Sequence, residues 1–286
     1  MSGEIGIIGN GFVGGAVAYG FKDKNPLVYD LKPELCHNTL DEVLGCKHIF
    51  ICLPTPMVEE TGGEANLSIV ENCLEDLSNH FTKDSDQVLI LKSTVPVSTT
   101  NKLAEKYNLR NLIHCPEFLT AANANYDFVN ADRTVIGLPD YAQEKYLDMV
   151  QKLFEDSFPN IPIYTMSSDE SELVKYSANC FLATKVMFFN MIKILSEKLY
   201  LDYEKILNGV LSDPRISSSH TKVPGPDGDY GFGGTCFPKD VNALIKTLDD
   251  YEIPPSILES VWEENMRYRK NWDWAENNSA VKRKSD

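Results

Sequence analysis

Runs of five to seven mostly apolar residues recur through the first half of the chain. They are "EIGIIG" (4–9), "PLVYD" (26–30), "HIFICL" (48–53), "QVLILKS" (87–93), "NLIHCP" (111–116) and "RTVIGL" (133–138), with a further short one at "PIYTM" (162–166). Runs of this length, punctuated by turn-forming residues, read as strands. Between them the apolar positions switch to helical spacing, as in "LSIVENCLEDLSNHF" (67–81). Strands alternating with helices predict a parallel α/β sheet.

Beyond residue 168 the strand pattern stops. "SSDESELVKYSANCFLATKVMFFNMIKILSEKLY" (167–200) opens with Ser and Asp ahead of acidic first-turn residues, a helix-start signal. It then stays apolar for roughly thirty residues, far beyond the mean helix of ~11–12. Shorter helical stretches follow at 202–212, 238–250 and 255–271. The expected architecture is therefore α/β: an N-terminal Rossmann-type parallel sheet over residues 1–168, then an all-helical domain over 169–271 built on one long helix. Residues 272–286, ending in the polar "ENNSAVKRKSD", are expected to form a disordered tail.

A hydrophobic content of 43% with 10% aromatic residues fits a chain that folds around a core. No uninterrupted apolar run approaches the ~20 residues that span a bilayer, so no membrane association is expected. The N-terminus lacks the basic segment of a secretory signal, so the expected location is the cytoplasm. A net charge of −15 argues against nucleic acid as a partner, although backbone dipoles at a helix start still hold small anions on an acidic protein. The seven cysteines, at 36, 46, 52, 73, 115, 180 and 236, form no CxxC pair and no cluster with histidine. Neither a disulfide framework nor a metal site is expected. Most of them sit in apolar strand or helix contexts and read as small hydrophobes. Cys236 is different: in "GFGGTCFPKD" (231–240) it follows a Gly-Gly approach and precedes Lys239 and Asp240.

"GIIGNGFVGGAVAYGF" (6–21) places Gly9-x-Gly11-x-x-Gly14 directly after a strand and at the start of a helix. The first glycine permits the tight turn, the second lets the backbone approach a pyrophosphate, and the third lets helix and strand pack closely. Phe12 and Val13 lie between them. Asp30, at the end of the second strand, is placed to bind an adenosine ribose diol and would repel a 2′-phosphate, so NAD is expected over NADP. Lys32 stands close by.

Motifs in a fixed order extend this reading: "GNGFVG" (9–14), "CLPTP" (52–56), "KSTVPVSTT" (92–100), "CPEFL" (115–119), "DRTVIG" (132–137), "ELVKYSANCFLATKV" (172–186), "DPRI" (213–216) and "GFGGTCFPKD" (231–240). Over roughly residues 4–270 the series resembles the nucleotide-sugar 6-dehydrogenases, the UDP-glucose and GDP-mannose dehydrogenase family. The resemblance implies two successive NAD-dependent oxidations of a sugar's primary alcohol to a uronic acid through a cysteine-bound intermediate, with UDP-glucose as the substrate. The sequence departs from the family in four places. No counterpart of the family's third, substrate-clamping domain is expected after the helical one, and the segment after Asp30 is short. "FLTAANA" (118–124) lacks the family's second glutamate, and the loop "HTKVPGPDGDYG" (220–231) is idiosyncratic.

A thiolate that adds to an aldehyde holds it between the two oxidations, and the resemblance gives this role to Cys236. Lys175 and Asn179 lie four apart and share one helix face. There they either form a solvated face or, as the resemblance implies, donate hydrogen bonds to a developing oxyanion. Asp240, through a water oriented by Thr94, is the expected base for the alcohol, and Glu117 matches the family glutamate that activates the hydrolytic water. Pro54, Thr55, Thr94 and Lys239 are expected at the cofactor. Phe118, Leu119, Tyr230, Phe232 and Gly233 are expected at the substrate, together with Glu117, Lys175 and Asn179; Gly233 and Gly234 would clear space for the sugar. Arg215 matches an arginine that reaches the nucleotide sugar across a homodimer interface, and the helix at 172–199 is the expected dimer seam. Two alternatives stand beside this reading. One is a one-step hydroxyacid dehydrogenase, which would use the lysine without a cysteine. The other is a truncated, non-catalytic NAD-binding protein.

Overall fold

The computed structural model describes residues 3–58, 63–81 and 85–282. The chain divides into two compact units, the first made of residues 1–55 and 67–175 and the second of 56–66 and 176–286.

The first unit opens with β1 (Ile5–Ile8), α1 (Phe12–Gly20), β2 (Leu27–Tyr29), α2 (Leu40–Leu44) and β3 (His48–Ile51). The chain then leaves it for two short strands of the second unit, β4 (Met57–Val58) and β5 (Glu64–Ala65). It returns with α3 (Ser68–Ser78), β6 (Val88–Leu91), α4 (Thr99–Lys106), β7 (Leu112–His114), α5 (Ala124–Val129), β8 (Thr134–Leu138), α6 (Glu144–Ser157) and β9 (Ile163–Ser167). The seven-stranded sheet has the order β2-β1-β3-β6-β7-β8-β9. Strands β1, β3 and β6 are buried at every position, as expected for a sheet covered on both faces. Successive side chains feed two separate cores. Ile5, Ile7, Phe50, Val88 and Ile90 join one, together with Phe21, Phe128 and Phe154. Ile8, Ile49, Ile51, Leu89 and Leu91 join the other.

All seven strands lie where the apolar runs put them, but the sheet is not parallel throughout. β7 and β8 pair antiparallel at His114 and Gly137, and β8 pairs with β9 in parallel. Apolar runs of strand length report burial and carry no record of chain direction, so the reversal leaves no mark in the pattern. The order β2-β1-β3 puts the chain's change of direction at the carboxyl end of β1, where open α/β sheets bind their ligands.

The helix α7 (Ser168–Lys198) begins in the first unit and continues in the second. Its start is a reciprocal cap. Glu170 Oε2 accepts from Ser167 N at 2.8 Å, and Ser167 Oγ accepts from Glu170 N at 3.3 Å. Its end is fixed where Tyr200 turns left-handed at φ 56. By length and composition this helix is apolar enough to cross a membrane. Its apolar stretch is not uninterrupted, because Lys175, Asn179, Lys185 and Asn190 are spread along it. Cys180, Ala183 and Met187 pack into the second unit's own core with Phe232 and Val241.

The second unit continues with α8 (Tyr203–Leu211), α9 (Phe237–Asp250) and α10 (Ser256–Tyr268), and closes with β10 (Val281–Lys282). β10 pairs in parallel with β4, which pairs antiparallel with β5. The stretch 272–282, expected to be a disordered tail, is therefore ordered. Trp274, Ala280 and Val281 are buried against Met57, a long-range contact that a polar composition does not reveal. Residues 283–286 lie outside the described residues.

Candidate active site

The glycine turn of the first unit is built as its spacing predicts. Gly9 takes φ +91, and a Cβ on Gly14 would overlap the Gly9 carbonyl oxygen, so close strand–helix packing requires glycine there. A Cβ on Gly11 would meet nothing within 4 Å, which leaves the backbone open beside the start of α1, where unpaired N–H groups favour an anion. Phe12 is 39% exposed. Asp30 accepts from Asn10 N at 2.7 Å through Oδ2 and from Lys32 N at 2.8 Å through Oδ1. Each oxygen keeps a lone pair for a ribose hydroxyl. Next to it opens a hollow of about 470 Å³ lined by Tyr29, His37, Thr39 and Glu42. Turn, open helix start, carboxylate and hollow fit a dinucleotide.

The loops after β3 and β6 are sewn together. Ser93 Oγ accepts from Leu53 N at 3.1 Å and donates to Leu53 O at 2.7 Å, while Thr55 Oγ1 donates to Thr94 O at 2.6 Å. The Thr55 hydroxyl is thus structural, Pro54 is exposed and Thr94 is half-buried.

Glu117 and Lys175 form a buried ion pair at 2.9 Å. The second oxygen of Glu117 accepts from Leu119 N at 2.5 Å. Lys92, itself buried, donates to Pro116 O at 3.0 Å and fixes the backbone just before Glu117. The Phe118 ring lies 4.2 Å from the Arg133 guanidinium and 5.4 Å from the Lys175 ammonium. A cavity of about 40 Å³ is lined by Lys92, Glu117, Phe118 and Arg133, enough for a water. A carboxylate, a lysine and room for water in one place suit hydrolysis.

One turn before Lys175, Glu172 is fully buried and accepts from Thr100 N at 2.7 Å and from Thr100 Oγ1 at 2.5 Å. Burial pushes its carboxyl up to about 7 from the ordinary 4.5, against the two Thr100 hydrogen bonds. The folded chain thus keeps a proton that the unfolded chain releases above about pH 4.5. Stability is lost as pH rises toward 7, by on the order of 3 kcal/mol in total. His114 acts in the opposite direction: burial, then Lys92, lowers it to about 3, so stability is lost as pH falls from about 6.5 toward 3. Melting curves of wild type and Glu172→Gln at about pH 5 and 7.5 isolate the first effect, because His114 titrates alike in both. Wild type should lose more stability than Glu172→Gln over that range; equal losses would mean that Glu172 titrates normally.

In the second unit, Cys236 is the N-cap of α9 and is half-buried. Pro238 sits in the first turn, where its missing N–H costs nothing. A helix start favours a thiolate. Burial instead pushes the thiols of Cys46, Cys115 and Cys180 up, and those of Cys52 and Cys73 up to about 12. Asp240 is 1% exposed and ion-paired with its neighbour Lys239, and its Oδ2 accepts from Asn179 Nδ2 at 2.5 Å. The first turns of one helix thus carry the thiol, the lysine and the carboxylate, and the amide bonds the carboxylate; among the described residues a second Asn179 N–H is left for another acceptor.

Residues 34–157 match the NAD binding domain of the UDP-glucose/GDP-mannose dehydrogenase family, and residues 169–267 match the central domain of the same family. The chain belongs to the UDP-glucose/GDP-mannose dehydrogenase family. NAD is the cofactor its first unit is built for. Among relatives, UDP-glucose 6-dehydrogenase YwqF of Bacillus subtilis is 36% identical over 225 residues, 76% of this chain and 48% of that protein. The chain spans about half the length of the curated relatives it matches. The UDP-glucose dehydrogenase structure from Pyrobaculum islandicum superposes with a TM-score of 0.80 at 25% identity, covering 93% of this chain and 68% of that one. The 3-hydroxyisobutyrate dehydrogenase of Mycobacterium tuberculosis shares the fold, with a TM-score of 0.71 at 15% identity, covering 93% and 94%.

Other expected substrate residues of this family member take different places. Phe232 is 4% exposed and packs with Phe237 and Trp262. The missing side chain of Gly233 makes room for Arg269: a Cβ there would overlap its guanidinium and a carboxylate oxygen of Asp273. Gly234, with φ +74, is glycine for its backbone. Tyr230 donates to Glu197 at 3.0 Å, and Arg215, 86% exposed, pairs with Asp213 at 2.5 Å. Lys92, Asn265, Arg269 and Asp273 were not singled out from the sequence. The one signal available is the i, i+4 spacing of Asn265 and Arg269 on an expected helix.

Proposed function

We propose that this chain carries out the NAD-dependent two-step oxidation of the C6 alcohol of a nucleotide sugar to the uronic acid, with UDP-glucose as substrate. The observation that carries the reading is Cys236 at the start of α9, the helix whose first turns also carry the Lys239–Asp240 pair that Asn179 bonds. NAD, when bound, takes up the hydride in each oxidation. Asp240 draws the alcohol proton away through a water that Thr94 orients. The Cys236 sulfur then adds to the aldehyde carbon to give a thiohemiacetal, whose oxyanion accepts from Lys175 Nζ and the unused Asn179 N–H. Oxidation leaves a thioester on Cys236. Glu117 takes a proton from the attacking water, the carbon–sulfur bond breaks, and the carboxylate product leaves with the thiol restored. Relatives named UDP-glucose 6-dehydrogenase support the choice of sugar.

The test is a screen for NADH formation with UDP-glucose, UDP-N-acetyl sugars and GDP-mannose, with carboxylate product identified by mass spectrometry. Turnover of UDP-glucose supports the reading. Turnover of another sugar corrects the substrate, and no turnover of any favours the non-catalytic alternative. The shared fold with a hydroxyacid dehydrogenase favours a second reading, one-step oxidation; that chemistry leaves Cys236 without a role.

The proposed location is the cytoplasm, a reducing compartment in which the seven cysteines stay thiols. Self-association is proposed through α7, where Phe181, Phe188, Met191 and Leu195 are 68%, 51%, 46% and 53% exposed at helical spacing on one stripe. Phe181→Glu combined with Phe188→Glu should convert a dimer to a monomer in light scattering. An unchanged mass would place the contact elsewhere.

A further inference from the structure

The loop that delivers Cys236 is bolted to the end of α10 by groups for which the reaction above has no use. Asn265, fully buried, accepts from Phe232 N at 2.8 Å and donates to Phe232 O at 3.0 Å, so one side chain satisfies both backbone groups of a loop residue. Asn190 accepts from Gly231 N at 2.9 Å. Asp273 accepts from Gly234 N at 2.9 Å through Oδ2 and from Arg269 Nη2 at 3.1 Å through Oδ1. The same guanidinium nitrogen donates to Asp227 at 2.6 Å, and Arg269 Nε donates to Asn271 O at 2.7 Å. Asp229 Oδ2 accepts from the backbone N–H groups of Lys270 and Asn271 at 2.9 and 2.8 Å. The glycines belong to the same design, since Cβ atoms on Gly231 and Gly233 would overlap Asn265 and Arg269.

The Arg269 side chain is 1% exposed, against 46% for Asp227 and 39% for Asp273. A buried guanidinium between carboxylates is no better for stability than a well-packed apolar side chain. What the planar fork supplies is direction. Here it aligns Asp227, Asp273 and, through Asp273, the N–H of Gly234, two residues before the cysteine.

We infer that Asn265, Arg269 and Asp273 are positioning residues for the thiol, holding the 230–234 backbone so that Cys236 seats at the N-terminus of α9. Loosening the brace swings the sulfur away from the helix start and removes the field that favours its thiolate. The inference rests on the Cys236 chemistry proposed above, but its main readout does not require sugar oxidation.

The experiment measures iodoacetamide alkylation of Cys236 against pH, read on the Cys236 peptide by mass spectrometry, in wild type, Arg269→Met, Arg269→Lys and Asp273→Ala. NAD affinity by calorimetry and melting temperature report folding. The brace predicts that Arg269→Met and Asp273→Ala raise the alkylation midpoint by about one pH unit. It also predicts that they lower kcat by about 10- to 100-fold with the KM for NAD unchanged, and that Arg269→Lys recovers most of both losses. A folded variant whose midpoint stays at the wild-type value overturns the inference. If Arg269→Met fails to fold, Asp273→Ala decides alone, because it cuts only an edge of the cluster. A shifted midpoint in a protein that oxidises no nucleotide sugar would uphold the brace and sink the proposed function; turnover with an unshifted midpoint would do the reverse.

Discussion

Cys236→Ala should abolish uronic acid formation, lowering turnover by at least about a thousandfold, while NAD binds as in wild type. The two effects separate because the glycine turn and Asp30 belong to the first unit and Cys236 to the second. The other six cysteines do not substitute. Cys46, Cys52, Cys115 and Cys180 are buried and held protonated by desolvation, as is the half-buried Cys73, and Cys36 follows β2, far along the chain from the α9 start. Measured as carboxylate product per enzyme, a variant that keeps a tenth of wild-type turnover would show that the sulfur is not the covalent holder.

Glu117→Gln should stop the reaction one step later. With the sulfur intact, both oxidations proceed once. The thioester then waits on a water that no carboxylate activates, and steady turnover falls by about 100- to 10,000-fold. Intact-mass spectrometry should find the acyl adduct on the peptide carrying Cys236, after a burst of NADH at two equivalents per site. Glutamine is the right replacement because it keeps the shape and still accepts from Lys175, whereas alanine removes that acceptor from a buried ammonium. A variant that accumulates no adduct, or loses the burst, would move Glu117 out of the hydrolytic step.

The parts of the molecule legible in its sequence are those set by local pattern. Apolar runs located all seven strands of the large sheet, and the acidic first turn located the start of α7, because burial and capping are written into neighbouring residues. The glycine turn was legible for the same reason: Gly9, Gly11 and Gly14 each answer a backbone demand within one turn of chain. What escaped depends on residues distant in sequence. β8 runs against β7, and its residues would read the same in either direction. The short strand Met57–Val58, paired on one side with Glu64–Ala65, gains its second partner from Val281–Lys282, more than two hundred residues on. Gly233 looked like clearance for a substrate until folding put Arg269 beside it. Asn265 and Arg269, outside the cysteine motif, hold that motif's backbone in place. The motif marks where the sulfur is; the side chains that aim it are visible only in the fold.

The central claim is a four-electron oxidation at one carbon, and the measurement that meets it most directly is the number of NADH molecules formed per nucleotide sugar consumed, taken to completion with limiting substrate. The account predicts two, with the carboxylate as product. One NADH per substrate with an aldehyde or ketone product, unaffected by Cys236→Ala, would contradict it.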